Sequence, residues 1–288
     1  MKMLYDGNNL FVRCFFVSSV GASTTNPDYK LWKFLVIDSL YRSLINNKSV
    51  TEIILAMDYP KSWRKLYWER YKESRKGKRD KQTGVDWREF FVQMDTFLEE
   101  IVEYLPFKVL KLTHCEADDV IAVLCIERND QYTIVSTDED FLQLSSSRVK
   151  IFNPLKRKYV TCISPRAFII EKCLTGQSKD DIFNILTPLD YPADKRKPAF
   201  GQVKLNRILA VGYEKWLKDN NLTERFLVNR TLMDFNLIPT TIKTRILNTY
   251  DSYRLADPSN MYRFFEKNGF KEYVDNFHHV EQQMMRLY

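Results

Sequence analysis

Three aspartates close three strand-like apolar runs. Asp6 follows Met1-Lys2-Met3-Leu4-Tyr5, Asp58 follows Ile53-Ile54-Leu55-Ala56-Met57, and Asp138 follows Tyr132-Thr133-Ile134-Val135-Ser136-Thr137. A further acidic group, Glu116-Ala117-Asp118-Asp119, comes after Val109-Leu110-Lys111-Leu112. In an open α/β sheet, ligands sit in the crevice beyond the carboxyl ends of the strands. Acids far apart in sequence can therefore meet at one place. Two like charges ~4 Å apart cost about 1 kcal/mol in water and about 4 kcal/mol at an effective dielectric of 20. Such a cluster persists only if something cancels it, and divalent cations with oxygen ligands are the usual answer.

The segments between these acids alternate in type. An apolar stretch, Leu10 to Val20, follows Asp6, and Gly7-Asn8-Asn9 suits a tight turn. A loop with Gly21 and Asn26-Pro27 leads to a helical spacing over Lys30–Asn46. The strand Glu52–Met57 comes next. The helix Trp87–Tyr104 presents Phe90, Phe91, Met94, Phe97, Leu98 and Ile101 on one face and is stopped by Pro106. Strand Phe107–Leu112, helix Ala117–Glu127 and strand Tyr132–Thr137 continue the pattern, and Val149–Phe152 with Lys158–Ile163 form a closing pair. This alternation predicts a mainly parallel, twisted α/β sheet with helices on both faces over residues 1–163. From Ser164 strand signals fade, and short helical segments broken by Pro and Gly predict a mostly α-helical region over 164–288 that packs closely on the first.

With 288 residues the chain is one large domain or two ordinary ones, and 44% hydrophobic content is ample for a core. No apolar run approaches the ~20 residues of a membrane helix. The chain reaches an acid at Asp6 too early for a signal peptide. Cys14, Cys115, Cys125, Cys162 and Cys173 are odd in number and unpaired in pattern, which predicts reduced thiols in a cytosolic setting. Three histidines, His114, His278 and His279, supply no zinc quartet. A net charge of +7 and a pI near 9.0 fit a polyanionic partner or a merely basic protein about equally. The distribution decides for the partner: from Lys61 to Lys81 bases crowd together, with only Glu69, Glu73 and Asp80 opposing them.

Each acid alone has a structural explanation. Glu116-Ala117-Asp118-Asp119 opens a helix, where acids suit the macrodipole, and Asp138-Glu139-Asp140 suits a cap after a strand. Their joint occurrence at successive strand ends favours a metal site. Asp138 and Asp140 are two apart, so they can face different ions, as in two-metal phosphoryl transfer. In Trp63-Arg64-Lys65-Leu66-Tyr67-Trp68-Glu69-Arg70-Tyr71-Lys72, the residues Trp63, Tyr67 and Tyr71 share one helical face, and Arg64, Trp68 and Lys72 the next. Interleaved rings and charges suit single-stranded nucleic acid. The alternative is an amphipathic helix with its rings inward. The position directly after Asp58, beside the acids, favours the first. Trp32 and Trp216 read as core, and Lys156-Arg157-Lys158 as a solvated turn.

In this order, Asp-Gly-x-Asn, a strand-end Asp, a basic Tyr-Lys segment, Glu-Ala-Asp-Asp and Ser-Thr-Asp-x-Asp resemble the flap endonucleases, or structure-specific 5′-nucleases, and within them the ribonuclease H branch of T-even bacteriophages. The resemblance implies a PIN-like nuclease core with a basic helical arch at about 61–103. It also implies Mg²⁺ or Mn²⁺ as cofactor, two ions in number, and action on RNA primers and 5′ flaps by water, without a protein nucleophile. Asp6, Asp58, Glu116, Asp118 and Asp138 match the first metal site, with Asp118 bridging to a second that includes Asp140. Lys72 and Arg13 match the active-site bases, alongside Asp138 and Asp118 as catalytic acids. Two departures stand out. A usual Gly-Asp-x-x-Asp-Asn reads Gly176-Gln177-Ser178-Lys179-Asp180-Asp181, leaving Gln177 to ligate through its carbonyl with Asp180 and Asp181. The duplex-binding turn reduces to a single glycine, Gly201, with Lys197 and Lys204 beside it. Nucleic-acid contacts are expected from Arg64, Lys65, Trp68, Tyr71, Lys72, Arg75, Lys197, Gly201 and Lys204. Expected partners are DNA and RNA–DNA hybrids, a single-stranded-DNA-binding protein and a sliding clamp, met by a cytoplasmic monomer away from membranes. A branched-DNA-binding module with impaired cleavage and a compact PIN-type ribonuclease remain as alternatives.

Overall fold

The computed structural model describes residues 1–19, 27–75, 77, 84–192, 195 and 198–288. Six strands, β1 Lys2–Asp6, β2 Glu52–Met57, β3 Lys108–Lys111, β4 Tyr132–Val135, β5 Val149–Asn153 and β6 Lys158–Val160, form one sheet in the order β3-β2-β1-β4-β5-β6. All neighbours are parallel except the β5–β6 pair, which closes the edge antiparallel. The inner strands are apolar along their length because both faces are covered. Met3, Tyr5, Ile53, Leu55 and Met57 point into one core, while Leu4, Ile54, Ala56, Tyr132 and Ile134 point into the other.

On the first face lie α1 Gly7–Ser18, α2 Tyr29–Asn46 and, after the short α3 Trp63–Tyr67, the helix α4 Trp87–Tyr104. On the second lies α5 Ala117–Glu127, buried nearly all round. Register aligns Asp6 with Ala56 and Tyr5 with Val135, so β1, β2 and β4 release their chains at one level. The strand order reverses between β1 and β4. That is the switch point where an open sheet forms its crevice, and Asp6 and Asp138 flank it.

Several expectations change. Gly7-Asn8-Asn9 is no turn but the first turn of α1, capped by Asp6, whose Oδ1 accepts from Asn9 N at 3.1 Å. A side chain at Gly7 would collide with the Met57 sulfur and lie 2.8 Å from Ala56 O, which is why the helix can start so close to β2. Helix α4, expected within the arch, instead buries Phe90, Met94, Phe97, Leu98 and Ile101 in the first core. The helical region over 164–288 divides its packing among three cores. Helices α6 Pro165–Thr175, α7 Gln202–Val211, α8 Tyr213–Asp219 and α9 Thr223–Met233 share a third core that includes Tyr71. Helix α10 Thr240–Ser252 returns to the second sheet face, and α11 Met261–Lys267, α12 Lys271–Asp275 and α13 Phe277–Met284 return to the first. Among the described residues no helix is long and apolar enough to cross a membrane.

Gly176 follows α6 at φ +74°, where a Cβ would meet Ile182 O and Phe183 C at 2.5 Å. Its conformation and its neighbours both exclude a side chain. Gly176→Ala should therefore lower stability by at least about 2 kcal/mol, read as a fall in the urea midpoint at unchanged slope. A neutral result would mean that the 176–182 turn is not fixed by this close approach.

Candidate active site

The strand-end acids are placed by local hydrogen bonding. Besides capping α1, Asp6 accepts from Ser136 Oγ at 2.9 Å through Oδ2. Asp58 accepts from Ala117 N at 2.8 Å, so it caps α5 from β2, and its own N–H is held by Asn8 Oδ1 at 2.9 Å. Glu116 and Asp119 form a reciprocal capping box at the start of α5. Asp138 accepts from Asp140 N at 3.0 Å and starts a 3₁₀ turn, Glu139–Leu144. Capping and site formation, alternatives on the sequence, are here the same arrangement.

Arg64, expected to meet nucleic acid, lies buried under the acids instead. Its Nη1 stands 3.1 Å from Glu116 Oε2 and 2.7 Å from Asp119 Oδ1, and its Nε donates to Leu232 O at 2.8 Å. Tyr71 is likewise buried, with its hydroxyl donating to Glu116 Oε2 at 2.8 Å. The predicted helical faces fail because α3 ends at Tyr67. Trp63 turns inward to donate to Asp119 Oδ2 at 3.1 Å, while Tyr67 is half exposed. Lys72 sits just beyond, at φ +55°, with its N–H on Asp180 O at 3.0 Å and its ammonium paired to Glu116. Left-handed backbone at a non-glycine residue costs on the order of 1 kcal/mol or more, and here it aims Lys72 at the acids.

The remaining contacts are divided between this cluster and the 176–191 segment. Arg75 pairs with Asp180, and Arg70 donates to Leu189 O and Tyr191 O at 2.9 and 2.7 Å. Lys65 donates to Glu69 O, and Trp68 lies edge-on to Phe183. Asp181 accepts from Ser74 N at 2.8 Å, which commits it to the 63–75 segment and not to the acid cluster. Gln177 faces Asp140 with its amide nitrogen, 2.7 Å from Oδ2, and not with its carbonyl, since an ionised carboxylate only accepts. Gly201 opens α7 in exposed, uncrowded surroundings with Lys204 one turn on; Lys197 lies outside the described residues. Arg13, on α1, makes no ion pair among the described residues; its Nε is buried without a hydrogen-bond partner, and its charge is felt by Tyr5 and Cys14. Sequence reasoning missed Lys172 and Lys179: Lys172 Nζ is 2.7 Å from Asp140 Oδ1, and Lys179 Nζ is 2.7 Å from Asp138 and 3.0 Å from Asp140. Lys179 stands within the Gly176–Asp181 motif singled out on the sequence, but was given no role there.

Among the described residues no three acids stand at metal-ligand spacing. Their charges are nevertheless strongly felt. Burial, and then the charge of Asp58, raise Asp6 to about 7. Asp58 is raised by burial and by Glu116, and Asp118 is raised well above the ordinary range by burial and by Asp138. Burial would raise Glu116 too, but Lys72 and Arg64 outweigh it and bring it down to about 2. Asp6, which is buried, and Asp58 and Asp118, which are part-buried, are therefore carboxylates short of positive charge. Hard oxygen donors in that state fit a divalent cation, which Asp6, Asp58, Glu116, Asp118 and Asp138 would hold.

Two family profiles divide the chain. One, described as 5′-3′ exonuclease, N-terminal resolvase-like domain, matches residues 1–173, and the other, T4 RNase H, C terminal, matches residues 163–280. Ribonuclease H of enterobacteria phage T4 is 29% identical over 262 residues, 85% of this chain and 85% of that protein. A 5′-3′ exonuclease of Aquifex aeolicus is 30% identical over 168 residues, 56% of this chain and 54% of that one. The bacteriophage T5 flap endonuclease, solved as a pseudo-enzyme–product complex with DNA and metal ions, has the same fold at TM-score 0.62 and 19% identity, over 95% of this chain and 99% of that chain. The PIN-like fold and these relatives define a nuclease, an enzyme that cleaves phosphodiesters. The chain belongs to the 5′-3′ exonuclease family.

The raised carboxyls set a pH dependence. Unfolded aspartates titrate near ~4, so between there and about 7 the folded chain holds protons that the unfolded chain has released, and stability falls as pH rises. Glu116 and Asp140, held low, lose their contribution only in strong acid and do not offset this. In EDTA, calorimetry should show the melting temperature dropping by several degrees from about pH 5 to about 7.5, and Mg²⁺ should restore more at the higher pH, where fewer protons compete. A flat profile without metal would mean that the acids are not short of positive charge.

Proposed function

We propose that this nuclease is a Mg²⁺-dependent 5′-nuclease, with Mn²⁺ able to substitute, that removes RNA primers and 5′ flaps during DNA replication. It would act as a 5′-3′ exonuclease and flap endonuclease with ribonuclease H activity. The observation that carries the reading is the set of buried and part-buried, under-compensated carboxylates at the switch point, directly beneath Lys72 and the basic 63–75 segment. The names of the phage T4 and Aquifex relatives support the substrate class.

A divalent cation bound there would supply Lewis-acid activation of water and neutralise the phosphate. Around it, Glu116 stays ionised because Lys72 and Arg64 hold it so. Lys72, partly exposed, can leave Glu116 for a phosphate oxygen and offset charge developing in the transition state. Arg64 and Tyr71 fix the Glu116 carboxylate, and so act as positioning residues instead of nucleic-acid contacts. Lys65, Trp68 and Arg75 would meet the 5′ single strand, with Arg13 a further phosphate contact. Gly201 and Lys204, at the open start of α7, would receive the duplex backbone. A monomer acting in the cytoplasm, with a single-stranded-DNA-binding protein and a sliding clamp as partners, completes the proposal. The two-ion form expected from the sequence meets bases already placed on Asp140 and Asp180.

The test is cleavage of a 5′-labelled RNA–DNA hybrid and a matched 5′-flap DNA across a Mg²⁺ titration. Short 5′ products should require metal, and Asp138→Asn should lower turnover by at least about 10³-fold, on the order of 4 kcal/mol, while leaving flap affinity largely intact. Tight flap binding without cleavage at any Mg²⁺ or Mn²⁺ concentration would replace this reading with the branched-DNA-binding module.

A further inference from the structure

The acids at the sheet end fall into two sets of opposite balance. In the first, Asp6, Asp58 and Asp118 lack ion pairs among the described residues and repel one another. In the second, which shares Asp138 with the five acids of the first metal site, Asp138, Asp140 and Asp180 each already have a cation. Lys179 Nζ lies 2.7 Å from both Asp138 oxygens and 3.0 Å from Asp140 Oδ2. Lys172 covers the other Asp140 oxygen at 2.7 Å, and Arg75 covers Asp180. Gln177 adds a donor to Asp140 and no charge, and Asp181 is turned to Ser74 N.

We propose that Lys179 is the resident cation of the second set: its ammonium, bridging Asp138 and Asp140, stands where a second divalent ion would otherwise be held, so the chain binds one divalent ion tightly and not two. The placement follows from the turn. Gly176 at φ +74° and Asp181 at φ +59° bracket a tight 3₁₀ turn, Ser178–Asp180, closed by the Gln177–Ile182 bridge. That turn aims Lys179 across to the 138–140 segment. An ammonium offers charge to a phosphate and no coordinated water, so activation of water falls to the first set alone. The inference rests on the nuclease reading only for the ion in that first set.

Metal-free full-length protein titrated with Mn²⁺, with free aqua ion counted by electron paramagnetic resonance, tests this without measuring activity. Wild type should bind one ion per chain with high affinity. Lys179→Met should gain a second, bound at least about tenfold tighter than any second ion of wild type, because a positive charge has been removed from the set. Lys179→Arg, which keeps the charge, should stay at one, and circular dichroism checks that both variants fold. Two ions of comparable affinity in wild type, or a Lys179→Met variant that still takes only one, would overturn the role of Lys179 and leave the nuclease reading intact. No bound ion in wild type would overturn the first-set reading itself.

Discussion

Repulsion among carboxylates at one edge of the sheet is the constraint on which the rest of this molecule depends. Parallel strands β1, β2 and β4 end together, and each delivers an acid to the same place. Without compensation such an edge would be expensive to bury. Arg64 solves part of the problem from below, a buried guanidinium between Glu116 and Asp119 with its Nε on Leu232 O. Removing one partner from a buried pair of this kind costs about 3–5 kcal/mol, so α3, α5 and α9 are tied together through a single side chain. Lys72 supplies a second charge from above, from a backbone conformation that few residues adopt. What remains unmatched, on Asp6, Asp58 and Asp118, is the demand for a cation.

This compensation also ties the sheet region to the helical region that follows it. The 63–75 segment is anchored on the acids through Arg64, Tyr71 and Lys72. It is anchored on the helical region through Arg70, Arg75 and the Ser74–Asp181 contact. Helices α10 to α13 then return to cover both faces of the sheet. The site is thus built between the sheet edge, the basic segment and the 176–181 turn, and a change in any one is felt by the other two.

Much of this was legible in the sequence. Continuous apolar runs located the inner strands, and the Glu52–Met57 strand and the helices over Trp87–Tyr104 and Ala117–Glu127 match residue for residue. The acids could be read because their periodicity is that of the strands that carry them. The basic segment was less legible. Helical spacing of Trp63, Tyr67 and Tyr71 is a local signal, whereas the pull of Glu116 and Asp119 on Arg64, Tyr71 and Trp63 is tertiary and ends the helix at Tyr67. Helix α4 was legible as a helix but not as core, since its partners Phe11, Trp32 and Phe264 are distant in sequence. Lys179 and Lys172 escaped notice because a lysine reads as solvent-facing until the carboxylates it meets are placed.

The central claim is that the strand-end carboxylates are held short of positive charge for a divalent cation. Anomalous diffraction at the manganese edge, from crystals grown with Mn²⁺, tests it most directly. The account predicts a strong peak among Asp6, Asp58, Glu116, Asp118 and Asp138, with Lys72 turned away from Glu116. No peak there, with the Lys72–Glu116 pair intact, would contradict it.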